Sequence, residues 1–296
     1  MSATTAAKPL HNPTSAALSR RRRAQSRVIE ALCVIATLIG LLLLASILIT
    51  LIRNGLGGMS LSVFTQTTPQ NEGDPLGLLD AIAGSLEQAT IGTLIGTPIG
   101  LLVGTYLSEY GRFSRLGYVV RFVADILLSA PSILIGLFVY LLASYVAPPE
   151  NRYSGWAGTV ALALIVIPIV VRTTEDMLRL IPVSLREAAM ALGAPKWKSI
   201  TQICYRAARD GIATGVLLAI ARVTGETAPL LFTSLGNNTL SFDLNHPMSS
   251  LPVTIYNLSN SPSKDWVQLG WVGALLITMG VLALNILARV VLRKRS

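Results

Sequence analysis

Ser184-Leu-Arg-Glu187-Ala188-Ala189-Met-Ala-Leu-Gly193 separates two apolar runs of this chain, and its reading decides what those runs build. The stretch predicts a short helix, a glycine break, and a second helix opening near Pro195. Ser184 and Glu187 match the Ser-x-x-Glu pattern in which two side chains cover free backbone N–H groups at a helix start. Gly193 stands where a helix end takes a left-handed residue, and Pro195 is tolerated in a first turn. Ala188, Ala189, Met190, Ala191 and Leu192 present more apolar surface than a free hairpin in water should expose. A groove in a partner protein accounts for that surface. The plainer alternative leaves Glu187 as a cap and the hairpin as a connector. A DNA-binding helix-turn-helix is excluded by the tether to membrane spans at both ends.

The surroundings of the hairpin are those of a membrane protein. Of 296 residues 52% are hydrophobic and only 13% charged, too apolar for a water-soluble domain of this size. Runs long enough to cross a hydrocarbon core fall at about 28–52, 83–107, 119–146, 157–178, 211–236 and 268–292. The fold class is therefore all-α: a polytopic membrane protein of six transmembrane helices with a cytoplasmic docking helix. Residues 28–296 form that transmembrane domain, with the loop 179–210 inside it, behind a basic tail 1–27 expected to lack structure. The apolar run after Arg20-Arg21-Arg22-Arg23 is too long for a signal-peptide core, so it reads as a retained anchor.

Charge sets the orientation. With the N-terminus inside, 20 of the 24 Lys and Arg fall on the cytoplasmic side or its margin, which places both termini and the hairpin in the cytoplasm. Arg53, Arg152 and Lys264 lie outside, as do Trp156 and Trp266 at the outer interface. The net charge of +9 thus belongs to the ends of spans and does not call for nucleic acid. Cys33 and Cys204 lie far apart and in different settings, so neither a structural disulfide nor a metal site is expected.

The spans carry features that simple anchors lack. The second span carries Gly92, Gly96, Pro98, Gly100 and Gly104, and Gly96, Gly100 and Gly104 share one face by their four-residue spacing, which lets a second helix approach closely. Pro131 and Pro229 are each expected to remove a backbone hydrogen bond from their spans. Such breaks survive in lipid only beside protein or a water-lined cavity. Arg222 falls near the middle of the fifth span, where an arginine costs at least about 2.5–3.5 kcal/mol. Glu226, four residues on, is its neighbour by helical spacing. The pair reads either as a structural ion pair or as a site on an anion path, the guanidinium fork suiting oxyanions and the carboxylate keeping binding weak enough for release. Arg172 reads as an interface arginine or as part of an exit, with Asp176 its i+4 neighbour. Asp125 is expected to pair with Arg121, and Glu87 to be solvated. No Gly-x-x-x-x-Gly-Lys-Ser/Thr loop and no nucleophile–base pair occurs in the sequence. The chain is thus not expected to be an enzyme or to bind a cofactor, and any ATP that drives it must be hydrolysed by a partner.

Glu187, Ala188, Ala189, Gly193 and Ile203 resemble the coupling motif of ABC-importer permeases, although Tyr205 and Arg206 stand where the motif closes on Leu and Pro. The wider match is to permeases of the phosphate-specific importer. It rests on Leu127-Leu-Ser-Ala-Pro-Ser-Ile-Leu-Ile-Gly-Leu-Phe-Val-Tyr140, Ser154-Gly-Trp-Ala-Gly158, Arg172-Thr-Thr-Glu175 and Gly225-Glu-Thr-Ala-Pro-Leu-Leu-Phe-Thr233. This resemblance implies the type I ABC importer permease fold in the inner membrane of a prokaryote. It implies a homologous second permease, two ATPase subunits carrying ATP and Mg, and an extracytoplasmic phosphate-binding protein. It assigns Glu187, Ala188, Ala189 and Gly193 to ATPase coupling and points to Arg222 on the substrate path, where the residue chemistry above sets Glu226 and Arg172 beside it. The residues alone leave two alternatives: another oxyanion such as molybdate, sulfate or phosphonate, or a proton-coupled secondary carrier using Asp125 or Glu226.

Overall fold

The computed structural model describes residues 13–148 and 151–293, and among them every regular element is a helix. Lys8 and His11 of the basic tail and Lys294 and Arg295 at the other end lie outside the described residues. The chain divides into two compact units, residues 1–53 and 54–296. The first unit is helix α1, Pro13–Gly57, up to Arg53. It begins ahead of the arginine run, so helix extends into the segment expected to lack structure; Ala16, Ala17 and Leu18 are good helix formers. Its apolar side chains from Val28 to Ile49 are exposed on all sides, a surface that lipid or another membrane helix must cover.

The second unit holds α2 (Ser62–Thr65), α3 (Leu79–Glu109), α4 (Arg115–Ser129), α5 (Ser132–Val146) and α6 (Gly155–Arg179). It continues through α7 (Val183–Ala191), α8 (Lys196–Ser199), a π-helical turn (Ile200–Cys204), α9 (Tyr205–Thr224), α10 (Ala228–Thr233), α11 (Leu251–Ser259) and α12 (Lys264–Arg293). Helix α6 is the centre, with Leu162, Ile165, Val166, Ile169 and Val170 buried against Ile135, Ala219, Val223 and Leu230.

The glycine stripe of α3 lies flat on α6. A Cβ placed at Gly92, Gly96, Gly100 or Gly104 would sit 3.1, 2.8, 2.6 and 2.7 Å from the Cβ of Leu162, Val166, Val170 and Thr174 in turn. Both series climb by four residues in the same direction, so α3 and α6 run parallel. Helix α9 runs the other way, with Gly211 against Met177 and Gly215 against Thr173 of α6. No side chain larger than hydrogen fits on the α3 face at this separation, which is how small residues bring membrane helices into contact.

Among the described residues four helices, within 25–57, 79–109, 155–179 and 264–286, are long and apolar enough to cross a membrane, and α4 with α5 makes a fifth if the bent pair counts as one. Two expected spans differ from the simple rods of the sequence reading. The run 119–146 is broken at Ala130-Pro131 into α4 and α5, which meet at 109°. Pro131 forces Ala130 out of the helical region, to ψ 135°. The run 211–236 stops at Thr224, with Gly225 as the C-cap, and resumes only as the six-residue α10. Neither proline costs a helical hydrogen bond as expected: Pro131 is the N-cap of α5 and Pro229 lies in the first turn of α10, where no intrahelical donor is needed. The two half-helices α5 and α10 touch where a Cβ on Gly136 would sit 2.6 Å from Pro229 Cα.

Candidate functional site

The hairpin forms, though not with the expected cap. Pro182, with ψ 140°, is the N-cap of α7, and no side chain caps that end. Ser184 is therefore already inside the first turn and cannot act as a cap, so the predicted capping box is absent. Glu187 is free to face outward. The other end follows expectation. Gly193 has φ +78°, its N–H donates to Met190 O at 2.9 Å, and Ala194 N–H donates to Ala189 O at 3.1 Å, which is the Schellman arrangement. Ala189 is buried beneath the helix, whereas Glu187, Ala188 and Gly193 are exposed. Around them Leu180, Val183, Met190, Leu192 and Trp197 stand more than half exposed, an apolar face without a cover.

Beneath that face the hairpin is fastened to the end of α3. Arg186 donates to Glu109 Oε1 at 2.7 Å, to Ile181 O at 2.7 Å and to Leu178 O at 2.6 Å. Lys196 donates to Glu109 O at 2.6 Å, with its ammonium 4.2 Å from the centre of the Tyr110 ring. Cys204 is fully buried among Leu178, Ile181, Ala208 and Ile212. Burial pushes its thiol above the ordinary range, so the residue packs and does not react.

Arg222 sits in the last turn of α9, where the helix dipole favours a cation. Glu226 lies past the helix end, in the break before α10, and not on a continuous helical face as spacing implied. The two still pair, Nε to Oε1 at 3.6 Å, with the guanidinium 44% exposed and the carboxylate 15%. The break thus holds a long, loose ion pair whose cation stays accessible.

Arg172 is half-exposed, 3.4 Å from Asp176 and 3.9 Å from Asp125. Asp125 therefore faces Arg172 and not Arg121 as expected. Arg121 turns inward instead, to Glu175, to which the sequence assigned no role. Glu175 is 1% exposed and accepts from Arg121 Nε at 2.7 Å and from Arg179 Nη2 at 2.5 Å. Arg121 also donates to Leu107 O at 2.8 Å, so one buried carboxylate gathers α3, α4 and α6. Glu87, expected in water, is half-buried, and its Oε2 meets no partner among the described residues. No group of three or more His, Cys, Asp or Glu able to hold a metal occurs among the described residues.

The opposite end of the bundle is built on Asp80, in the first turn of α3. Its buried carboxylate accepts from Thr68 N at 2.8 Å, Thr68 Oγ1 at 2.9 Å and Ser249 Oγ at 2.8 Å. Gln88 Nε2 donates to Ser249 O at 3.2 Å and Leu251 N–H to Ser85 Oγ at 2.6 Å. Two loops far apart in sequence are thereby clasped into one rim. Nearby in those loops, backbone N–H groups of Asn71 and Gln70 hold the Asp74 carboxyl below its usual range, and that of Asn245 does the same for Asp243.

Residues 96–296 match the family described as the binding-protein-dependent transport system inner membrane component. The phosphate transport system permease protein PstA of Pasteurella multocida is 55% identical over 93% of this chain and 97% of its own length. The PstA of Yersinia pestis is 52% identical over 93% and 92%. Among solved structures, a bacterial alginate ABC transporter in complex with an alginate pentasaccharide-bound periplasmic protein matches 90% of this chain and 94% of its own, at TM-score 0.64 and 13% identity. The MetNI methionine ABC transporter, in an inward-facing form, matches 73% and 96% at TM-score 0.61 and 17% identity. These two share the fold. The chain belongs to the inner-membrane permease components of binding-protein-dependent transport systems and, within them, to the PstA family.

Proposed function

We propose that this chain is the membrane subunit through which an ABC importer moves inorganic phosphate into the cytoplasm. The observation that carries the reading is its 55% identity, across 93% of the chain, to a phosphate transport permease. The importer contains a homologous second permease, two ATPase subunits that use ATP and Mg, and an extracytoplasmic phosphate-binding protein seated on the rim that Asp80 clasps. This chain crosses the bilayer six times, as α1, α3, α4–α5, α6, α9–α10 and α12, with both termini in the cytoplasm. The parallel α3 and α6 support this count, since the chain between them must return across the membrane. The antiparallel α9 keeps the hairpin between it and α6 on one side of the membrane, so that α9 itself makes the return crossing. Residues 28–296 form the permease domain behind a basic tail, with the coupling loop at 179–210.

Glu187, Ala188 and Gly193, with the apolar face around them, dock on an ATPase subunit. Ala189 anchors the docking helix from beneath. Closure of the ATPase pair moves the hairpin, and the spans reorient around the break after α9. Phosphate released by the binding protein meets Arg222, whose half-exposed guanidinium offers donors to its oxygens. Glu226, 3.6 Å away, competes for the same charge and keeps the anion releasable. Arg172, at the cytoplasmic end of α6 beside Asp125 and Asp176, lines the exit by the same logic.

Phosphate uptake into vesicles holding the complete complex tests this. Glu187→Arg is expected to lose the ATPase subunit. Arg222→Gln is expected to keep it and to lose about ten-fold or more in uptake. Uptake without ATP would replace the importer by a secondary carrier. Equal uptake of molybdate or sulfate would reassign the anion.

A further inference from the structure

We infer that Glu109 is the residue through which motion of the docking hairpin enters the membrane-spanning bundle, a positioning residue for transport. The inference rests on the reading of the hairpin as the ATPase dock. Both helices of the hairpin meet this one residue. Arg186 of α7 holds its carboxylate at 2.7 Å, and Lys196 of α8 holds its carbonyl at 2.6 Å. The Glu109 side chain is 7% exposed and that of Arg186 19%, so water and salt screen the pair little. Arg186 also grips the carbonyls of Leu178 and Ile181, which ties the end of α6 into the same knot.

Glu109 is the last residue of α3, a helix with little freedom to slip. Four successive glycines lock it to α6, with Cβ positions 2.6–3.1 Å from side chains of that helix. A displacement applied at Glu109 therefore moves α3 and α6 together. Without the pair, Lys196 on the Glu109 carbonyl and the buried Ala189 still hold the hairpin in place, but its ion pair to α3 is gone. An open cleft of about 620 Å³ lies against it, lined by Ser108, Glu109, Phe113, Arg179, Val183 and Arg186. The hairpin then has room to move while the spans stay still. The outward face around Glu187 takes no part in the knot, so docking and transmission are separable.

The test uses the complete complex in vesicles, with phosphate as the probe, and three readouts: ATPase subunit retained, ATP hydrolysed and phosphate taken up. Glu109→Gln and Arg186→Gln are each expected to retain the ATPase subunit and to hydrolyse ATP within about two-fold of the parent, while phosphate moved per ATP falls about ten-fold. The double variant is expected to be no worse than either single one, because the two residues act as one contact. An unchanged ratio of phosphate to ATP in an intact Glu109→Gln complex overturns the inference and leaves the docking reading standing. Loss of the ATPase subunit in Glu109→Gln also overturns it, since Glu109 would then shape the dock. Failure of the docking reading shows separately, as a Glu187→Arg complex that keeps its ATPase subunit. Should Glu109→Gln not insert, Lys196→Met carries the test. A fall of about three-fold in the ratio is expected there, and a parental ratio overturns the proposal.

Discussion

The α3–α6 pair and the α5–α10 pair are built on opposite rules. In the first, two continuous helices run parallel over three turns, joined by glycines against Leu162, Val166, Val170 and Thr174. In the second, two half-helices meet at one tight point, Gly136 on Pro229, and each follows a break in its span. The contrast assigns roles. A continuous zipped pair transmits displacement along its length, whereas half-helices beside a break change angle at small cost because no helical hydrogen bond spans the joint. The charges follow the same division. Glu175, in the rigid part, is buried and doubly paired at 2.5 and 2.7 Å; Glu226, at a break, holds one arginine loosely at 3.6 Å.

The most severe way to break the comparison is Gly100→Leu. Its first side-chain carbon would already lie 2.6 Å from Val170 Cβ and 3.1 Å from Ile167 O, so the helices must part. Overpacking of this kind costs roughly 3 kcal/mol or more, and the expected outcome is loss of monodisperse protein in size-exclusion chromatography after solubilisation. Gly280→Leu, where nothing lies within 4 Å of the new carbon, is expected to behave as the parent. Equal behaviour of the two would deny that the stripe holds the pair together. The next largest effect belongs to the carboxylates. Glu175→Gln strips a buried charge from Arg121 and Arg179 and is expected to destabilise by about 3 kcal/mol, read as a lower melting temperature of the purified complex. Glu226→Gln is expected to leave that temperature unchanged and to alter phosphate uptake instead. A reversed pattern would place the structural ion pair at the break.

Much of this was legible in the sequence wherever the signal is local. The apolar runs found α1, α3, α6 and α12 because burial and length are written residue by residue. The glycine repeat announced a close helix contact, although not its partner. The two breaks were marked by Pro131, Gly225 and Pro229, but the 109° turn between α4 and α5 depends on what the chain packs against beyond the proline. Charge pairing failed at longer range. Helical spacing suggested Arg121 with Asp125, and the fold preferred Glu175, 54 residues away, because a buried carboxylate that already holds Arg179 still gains more from a second cation than an exposed i+4 pair does. Glu109 left no mark at all, its two partners being 77 and 87 residues distant. The Ser184–Glu187 cap was a true local match that failed locally. Pro182 takes the cap position two residues before Ser184, and only backbone geometry reveals that shift.

The smallest expected effect tests whether the docking hairpin belongs with the rigid regions or with the yielding ones. Gly193 and Gly225 both end helices, yet they differ in kind. Gly193 has φ +78° with open space around it, so Gly193→Ala meets no atom and only the backbone strain of a left-handed residue. That strain is about 1 kcal/mol, or about five-fold in an equilibrium. Gly225 has φ −100°, a value any residue adopts, with the nearest atom to an added carbon at 4.0 Å. Gly225→Ala is therefore expected to leave both assembly and uptake unchanged. Gly193→Ala is expected to weaken ATPase-subunit binding about five-fold in a titration, because the Schellman turn fixes the angle at which α8 leaves α7 and hence the shape of the docking face. Unchanged binding would mean that the partner's groove, and not this turn, sets that shape, and the hairpin would then join the regions that yield.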